Sequence, residues 1–379
     1  MLQYHTAGES HGKTLIALVD GFPAGVELDC QPIDAELARR QGGYGRGGRQ
    51  KLETDKVDVL SGVWHGTTIG SPIALQVVNK DYKIERMEDI ERPRPGHGDL
   101  PGAIKYHGSI RGILERASAR ETAVRVAAGA LAKQLLAPLG ITAMGYVTEV
   151  GRIAVEPVEG TLQEQRELRD QSELYTINPE KDDEIKKLID DCRNSGDTLG
   201  GVIETRVEGV PFGLGTHAQW HRKLDGLLAQ AVMAVQAIKG VEIGMGFEAA
   251  RLPGSKVHDE IRYDADKADT PTLGFVRPTN NAGGLEAGMT NGQPIVVRAA
   301  MKPIATLAQP LESINLKTHE PESAEYERSD VCAISAASVI IENVVAFEIA
   351  RAVVDKFGGD SLAEIEARVK LFEEMSRKR

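Results

Sequence analysis

The order of strand-like and helix-like segments constrains the fold of this chain more than any single motif does. Short apolar or alternating runs between glycines and prolines predict strands, and they lie at residues 13–20, 56–63, 72–78, 141–150, 201–210, 241–247 and 294–301. Apolar residues at helical spacing predict helices at residues 121–137, 225–239, 336–356 and 362–377. Strands and helices do not alternate strictly, as a doubly wound parallel sheet requires. We therefore expect an α+β fold with a mixed, largely antiparallel sheet architecture and a helical layer.

Two segments of helical character differ strongly in polarity. Residues 225–239, DGLLAQAVMAVQAIK, are apolar around most of the helix circumference and predict a helix that is buried on several sides. Residues 161–196 carry two helical patterns rich in Glu, Asp and Lys and predict a polar surface excursion. Because no fixed repeat and no Pro/Gly/Ser linker divides the chain, we expect residues 1–379 to form a single domain.

The composition limits the classes of function. The chain has 379 residues and a formal net charge of −11, which disfavours binding to nucleic acid or to an anionic membrane. It has no run of 18 apolar residues and no secretory signal pattern at its start, so we expect no membrane span and a cytoplasmic location. Its three cysteines have no CxxC spacing, which predicts neither a disulfide framework nor a zinc ribbon.

Arginines nonetheless gather in three short runs, at residues 39–49, 92–97 and 116–125. A guanidinium group matches phosphate and carboxylate geometry, so these runs predict a local site for an anion. The third run opens the predicted helix 121–137, whose positive end favours a phosphate. For that run alone, ordinary surface arginines are an equally weighted alternative.

Two histidines lie in glycine-containing loops. His11 follows Ser10 in the segment GESHG, and His97 lies in RPRPGHGD, where Asp99 could orient the imidazole. A single loop histidine is more often a bystander, but two such loops suggest an acid–base pair. The segments NNAGG, KPIAT and RSD also combine flexible backbone with polar side chains, although each alone is more often a hairpin turn or a helix cap.

Three familiar motifs are rejected, because each is either absent, incomplete or in the wrong context. Gly43, Gly45 and Gly48 satisfy GxGxxG, but a polar helix-like segment precedes them instead of an apolar strand, which argues against a dinucleotide-binding turn. The sequence contains no GxxxxGK[ST]. His217 and His221 stand four apart without the glutamate of HExxH, so we expect no protein-bound metal.

The motifs GESHG, RPGHGD, ERASARETAVRVAAG, GVEIGMGF, NNAGG, MKPI and RSD, in this order, resemble the chorismate synthase family over essentially the whole chain. The resemblance implies a lyase of the shikimate pathway, which leads to the aromatic amino acids. That family converts 5-enolpyruvylshikimate 3-phosphate to chorismate by a 1,4-anti elimination of phosphate. The reaction requires reduced FMN but has no net redox change. NADPH would serve as the flavin reductant, either through the chain's own activity or through a separate flavin reductase.

The resemblance also implies roles for individual residues. His11 would lie beside the N1 and O2 edge of the flavin, His97 would protonate the departing phosphate, and Asp330 would help flavin N5 to act as the base for the ring hydrogen. The implied substrate ligands are Ser10, Arg40, Arg46, Arg49, Arg94, Ala119, Arg120 and Arg328. The implied FMN ligands are Arg116, Ala117, Ser118, Gln236, Ala237, Ala287, Lys302, Pro303, Ile304, Ala305, Thr306 and Arg328. Arg40 and Arg46 also match positions that the family assigns to NADP.

The implied fold is a single α+β domain with a helical layer between two mainly antiparallel sheets, and the implied assembly is a homotetramer. The chain departs from the family pattern at Ala117, Gln236 and Ala287, where serine, asparagine and glycine are frequent. A flavoenzyme acting as a net reductase is one alternative, but the chain lacks a credible nicotinamide fingerprint. An RNA-binding protein is another, but only 4% of the residues are aromatic.

Overall fold

The computed structural model describes residues 1–47, 54–327 and 329–378 of the chain. The strands are β1 (Gln3–Ala7), β2 (Thr14–Asp20), β3 (Asp58–Val59), β4 (Val63–Trp64), β5 (Thr67–Thr68), β6 (Ile73–Val78), β7 (Thr142–Val150), β8 (Ile153–Ala154), β9 (Gly201–Glu208), β10 (Ile238–Ile243), β11 (Arg262–Tyr263), β12 (Phe275–Val276), β13 (Leu285–Glu286), β14 (Met289–Thr290), β15 (Ile295–Met301), β16 (Glu312–Ile314) and β17 (Pro321–Ser323). The α-helices are α1 (Cys30–Gln41), α2 (Asp99–Tyr106), α3 (Ile110–Ala117), α4 (Thr122–Leu136), α5 (Leu162–Gln171), α6 (Asp182–Asn194), α7 (Leu224–Met233), α8 (Gly254–Val257), α9 (Ile334–Phe357) and α10 (Leu362–Ser376).

Two antiparallel sheets form the larger β-structures. One has the strand order β1-β2-β6-β3, and the other has the order β10-β15-β9-β7-β8. Strand β2 alternates buried and less buried residues, so Leu15, Ala17 and Val19 point to one covered face. The pairs β4-β5, β11-β12, β13-β14 and β16-β17 form small two-stranded sheets. The α+β class with antiparallel sheets is therefore confirmed.

Helices α4 and α9 pack against each other, and each makes most of its sheet contacts with a different large sheet. Helix α4 contacts β2 and β6, whereas α9 contacts β7 and β9. Two glycines permit this close packing, because a Cβ on Gly129 of α4 would lie 2.2 Å from the backbone oxygen of Asn343 in α9. A Cβ on Gly145 of β7 would likewise lie 2.6 Å from the oxygen of Ser338. The close approach thus requires residues without a side chain at both positions.

The prediction of a multiply buried helix over residues 225–239 is wrong in its extent and in its burial. Helix α7 ends at Met233, and strand β10 begins at Ile238. Between them Ala237 adopts a left-handed backbone conformation with φ of 66°, which a continuing helix excludes. Pairing of β10 with β15 overrides the local helical pattern.

Helix α9 has the burial that the pattern suggested for residues 225–239. Every residue from 334 to 350 is buried, whereas α7 buries one face through Leu224, Leu228 and Val232. The predicted boundaries of α4, α9 and α10 agree with the structure to within two residues, and Ser361 and Glu364 form a capping box at the start of α10. The helix that is buried on several sides is therefore α9 and not α7.

The polar segment 161–196 contains α5 and α6. Helix α6 is amphipathic, and its Ile185 and Ile189 belong to the main hydrophobic core while most of its charged residues lie at the surface. Leu162 at the start of α5 joins a smaller cluster with Met144 and Ile177. Across the described residues, we find no helix with the length and apolarity needed to cross a membrane.

Candidate active site

A cavity of about 460 Å³ opens between the first loops of the chain, the end of α1, the segment joining α3 to α4, and the start of α9. This volume lies in the range of small-molecule and cofactor sites. The predicted site residues that line it are Ser10, His11, Arg40, Arg46, Arg94, His97, Ala117, Ser118, Ala119, Arg120, Gln236, Ala237, Lys302, Ile304, Ala305, Thr306 and Asp330. Residues that are distant in sequence thus share one site.

Other predicted site residues lie elsewhere. The Arg116 guanidinium donates hydrogen bonds to the backbone oxygens of Gly8 and Thr6, at 2.8 and 2.9 Å, and does not line the cavity. Pro303 is exposed beside the cavity, and Ala287 is exposed in the turn between β13 and β14. Arg49 and Arg328 lie outside the described residues, as does Gly48 of the rejected GxGxxG pattern.

His97 is held by a buried carboxylate at one wall of the cavity. Its Nδ1 lies 2.5 Å from Asp99 Oδ1, and Arg94 donates to Asp99 Oδ2 through Nε at 2.8 Å. An ionised carboxylate can only accept, so the proton between them belongs to Nδ1 and leaves Nε2 for a ligand. Burial alone would raise the pKa of Asp99, but hydrogen bonds from His97 and Arg94 hold it well below its usual range.

His11, like His97, is held by a carboxylate. The sequence patterns did not identify this partner, which is Glu115. The Nδ1 atom lies 2.9 Å from Glu115 Oε1, and the backbone N–H of His11 donates to Oε2 at 2.7 Å. Beside this pair, Ser118 Oγ donates to Ser10 Oγ at 3.2 Å. Glu115 belongs to the stretch ERASARETAVRVAAG, but its partner is 104 positions away in sequence. Only the fold brings the two together.

The arginines of the cavity share two aspartates. Asp55 Oδ2 accepts from Arg120 Nη1 at 2.6 Å and lies 3.6 Å from Arg40 Nη1, while Asp330 Oδ2 lies 2.9 Å from Arg46 Nη1. Burial lowers the pKa of Arg40, and the cations of Arg120 and Arg46 lower it further against the attraction of Asp55. Arg40 Nη1 has no hydrogen-bond partner among the described residues. A buried donor in this state favours an anionic ligand.

Part of the cavity lining is apolar. It consists of Ala333, which immediately precedes α9, of Ala336, Ala337 and Ile340 in α9, and of Val235. The rest of the lining carries polar and charged side chains such as His11, Arg40 and Arg94. This combination fits a flavin, whose ring is apolar on its faces and polar at its edge. In the described part of the chain, no three His, Cys, Asp or Glu residues are grouped so as to hold a metal ion.

In this fold, arginines and two carboxylate-held histidines line one cavity, an arrangement that is typical of enzymes acting on small anionic ligands. The comparisons with known proteins identify the family. Residues 2–354 match the family model described as chorismate synthase. The chain is 56% identical to the chorismate synthase of Geobacter metallireducens, over 96% of each chain, and 52% identical to that of Desulforamulus reducens, over 100% of each.

A solved structure titled "Crystal Structure of Chorismate Synthase" has 42% sequence identity and a TM-score of 0.82, covering 100% of this chain and 99% of that one. The chain belongs to the chorismate synthase family. It is accordingly a phosphate lyase of the shikimate pathway, as the sequence motifs predict.

Proposed function

We propose that this chain converts 5-enolpyruvylshikimate 3-phosphate to chorismate in the cavity, by 1,4-anti elimination of the phosphate. The observation that carries the proposal is the meeting of buried arginines with two carboxylate-held imidazoles around one cavity. The substrate carries a phosphate and two carboxylates, which guanidinium groups match in charge and geometry. Arg40 and Arg46 both offer a donor for it, because Arg40 Nη1 and Arg46 Nε lack a hydrogen-bond partner in the described part of the chain.

His97 protonates the departing phosphate in this proposal. Since Nδ1–H donates to Asp99, Nε2 is the nitrogen available to the leaving group, and His97 acts as general acid in its imidazolium form by giving up the proton on Nε2. Arg94 has a supporting role, because its Nε and Nη1 are already hydrogen-bonded to Asp99 and to Thr306 Oγ1. This ties the His97 loop to the segment that follows β15. The geometry of the acid is thereby fixed before the substrate arrives.

Reduced FMN, when bound, would supply transient electron donation to the allylic system of the substrate as the phosphate leaves. The residues that would hold it in the cavity are Ala117, Ser118, Gln236, Ala237, Lys302, Ile304, Ala305 and Thr306. His11 would present Nε2 to the polar edge of the ring, and Asp330 would support removal of the ring hydrogen of the substrate. Roles for Arg116, Pro303, Ala287, Arg49 and Arg328 stay predictions.

The wider arrangement is part of the same proposal. A layer of helices between the two large sheets is supported by the contacts of α4 with β2 and of α9 with β7. A single domain is supported by one core cluster with members from Leu2 to Ile365. Three free cysteines suit the predicted reducing cytoplasm. A homotetramer, and NADPH as reductant with or without a separate flavin reductase, follow from the family alone.

An anaerobic assay tests the proposed reaction. The protein is mixed with the substrate and chemically reduced FMN, and chorismate and phosphate are followed together. We expect stoichiometric release of both with reduced flavin and none with oxidised flavin. Equal turnover with oxidised flavin, or no product with reduced flavin, contradicts the proposal. Turnover in air with NADPH and FMN alone separates an intrinsic reductase from an external one.

The role of His97 has its own test. His97→Ala should lower the rate of phosphate release by roughly 10²–10⁴-fold, the usual contribution of a general acid, while flavin affinity changes little. His221→Ala is the matched control, because His221 is exposed and does not line the cavity. Loss of flavin binding in His97→Ala would assign this histidine to the cofactor instead.

A further inference from the structure

The buried carboxylate of Glu115 contacts the His11 loop at several points, and no step of the proposed reaction uses it. Its side chain is fully buried. It accepts from the backbone N–H of His11 at 2.7 Å and contacts Nδ1 through both oxygens, at 2.9 and 3.1 Å. The backbone oxygen of Glu115 also accepts from the N–H of Ser10 at 2.9 Å. One residue of α3 therefore holds both the ring and the main chain of this loop.

The contacts determine which ring nitrogen of His11 carries the proton. Hydrogen bonds and the charge of His11 lower the pKa of Glu115 against the effect of burial, so the carboxyl group is ionised. An ionised carboxylate has acceptors only, and the proton of the contact must belong to Nδ1. The Nε2 atom is left at the side of the ring where Asp81 Oδ2 lies, 3.5 Å away.

Other charged groups lie near Glu115 and His11, but they leave the hydrogen bond from Nδ1–H of His11 to Glu115 in place. Arg111 Nη1 is 3.9 Å from Glu115 Oε1 and makes its short contact, 2.8 Å, with Glu327. Lys83 Nζ lies 3.0 Å from Asp81 on the outer side of the ring. His11 is therefore a closer partner of the Glu115 carboxylate than Arg111 is.

We propose that Glu115 is a positioning residue that keeps the proton of His11 on Nδ1 and so leaves Nε2 as the acceptor nitrogen of a ring that lines the cavity. The proposal rests on the proposed function for the ligand, but its structural part concerns the protein alone. It differs from a purely structural anchor, because an anchor has no requirement for one particular tautomer of the ring.

Glu115→Gln distinguishes these roles. An amide offers one acceptor and one donor. The backbone N–H of His11 cannot change its character, so it retains the amide oxygen and leaves the NH₂ group facing Nδ1. The ring proton should then move from Nδ1 to Nε2. We expect little change in the unfolding midpoint, a fall in kcat of at least tenfold, and a smaller change in KM.

The tautomer is read by ¹⁵N solid-state NMR of protein labelled in its histidine rings. The chain has nine histidines, and His11→Asn identifies the signal of His11 by its loss. Glu348→Gln is the matched control, since Glu348 is a buried carboxylate that pairs with Arg351 and does not line the cavity. Its His11 signal should equal that of the unmodified protein.

A protonated Nδ1 in the unmodified protein and an unprotonated Nδ1 in Glu115→Gln support the proposal. An unprotonated Nδ1 in the unmodified protein, the same ring signal in both proteins, or full kcat in Glu115→Gln overturns it. The NMR result is independent of the reaction. If the protein forms no chorismate but the proton moves, the proposed function fails and the assignment of Glu115 stands.

Discussion

Replacing Gly129 by alanine should both destabilise the protein and loosen its cavity. A Cβ at this position would lie 2.2 Å from the backbone oxygen of Asn343 and 2.5 Å from its Cβ. Ordinary van der Waals contact between carbon atoms begins at about 3.5 Å, so α4 and α9 would have to separate locally by roughly an ångström. The obstructing atoms belong to the backbone of a helix that is buried along most of its length. They cannot rotate away.

Two opposing effects set the magnitude. Overpacking a close-packed interior typically costs about 1–3 kcal/mol, whereas replacing glycine in a helix interior by alanine gains about 0.8–1 kcal/mol. The net loss of unfolding free energy at Gly129 should therefore reach up to about 2 kcal/mol. Gly226 of α7 is the matched control, because it is exposed and a Cβ there would meet no atom within 4 Å. Gly226→Ala should be neutral or stabilising by up to about 1 kcal/mol.

Urea unfolding followed by circular dichroism compares the two variants, and flavin fluorescence quenching measures cofactor affinity. Ala337 and Ile340, which line the cavity, precede Asn343 by less than two turns of α9. We therefore expect weaker flavin binding in Gly129→Ala and unchanged binding in Gly226→Ala. If Gly129→Ala is as stable as Gly226→Ala, the close contact of α4 with α9 is not the reason for glycine at this position.

Three further outcomes follow from the charges of the cavity. Arg40→Lys should raise the KM for the substrate by roughly 10- to 150-fold, because it removes a charged hydrogen-bond donor worth about 1.5–3 kcal/mol; an unchanged KM in steady-state kinetics would remove Arg40 from the binding site. Asp99→Asn should lower the free energy of unfolding by about 3 kcal/mol, because it leaves the buried Arg94 without its ionic partner, and urea unfolding at pH 7 measures this. The depressed pKa of Asp99 stabilises the fold above about pH 4 and loses this effect as the pH falls further. Unfolding free energies of Asp99→Asn should therefore vary less between pH 4 and pH 2, and parallel curves for the two proteins would contradict this.

Some strands of the large sheets could be predicted from their runs of apolar residues, but β1 and β8 were not predicted, and the predicted segment 241–247 overlaps β10 only at residues 241–243. The predicted segments 72–78 and 294–301 differ from β6 and β15 by one residue. The segment after α7 could not be read in this way, because Ala234–Ala237 has good helical propensity. Its conformation depends on pairing with β15, which is distant in sequence. Pairing with β15 therefore makes this segment lead into strand β10, although its local sequence pattern predicts a helix.

The same distinction applies to the site. Asp99 was predictable as the partner of His97 because the two residues are only two positions apart. Glu115 and Asp55 have partners 104 and 65 positions away, and isolated acidic residues in polar stretches give no local signal. Motifs identified the loops that meet, but the carboxylates that orient their side chains became evident only in the folded chain.

These carboxylates also determine how the cavity selects its ligand. The pairs are Arg94 with Asp99, Arg120 with Asp55, Arg46 with Asp330 and His11 with Glu115. Because each cation already has an internal counter-charge, attraction by net charge contributes little, in keeping with an acidic chain. Selection must depend on directed donors that remain open, such as Arg40 Nη1 and Arg46 Nε, neither of which has a hydrogen-bond partner among the described residues. Donors that are fixed in advance favour an anion with matching spacing and disfavour one with only matching charge.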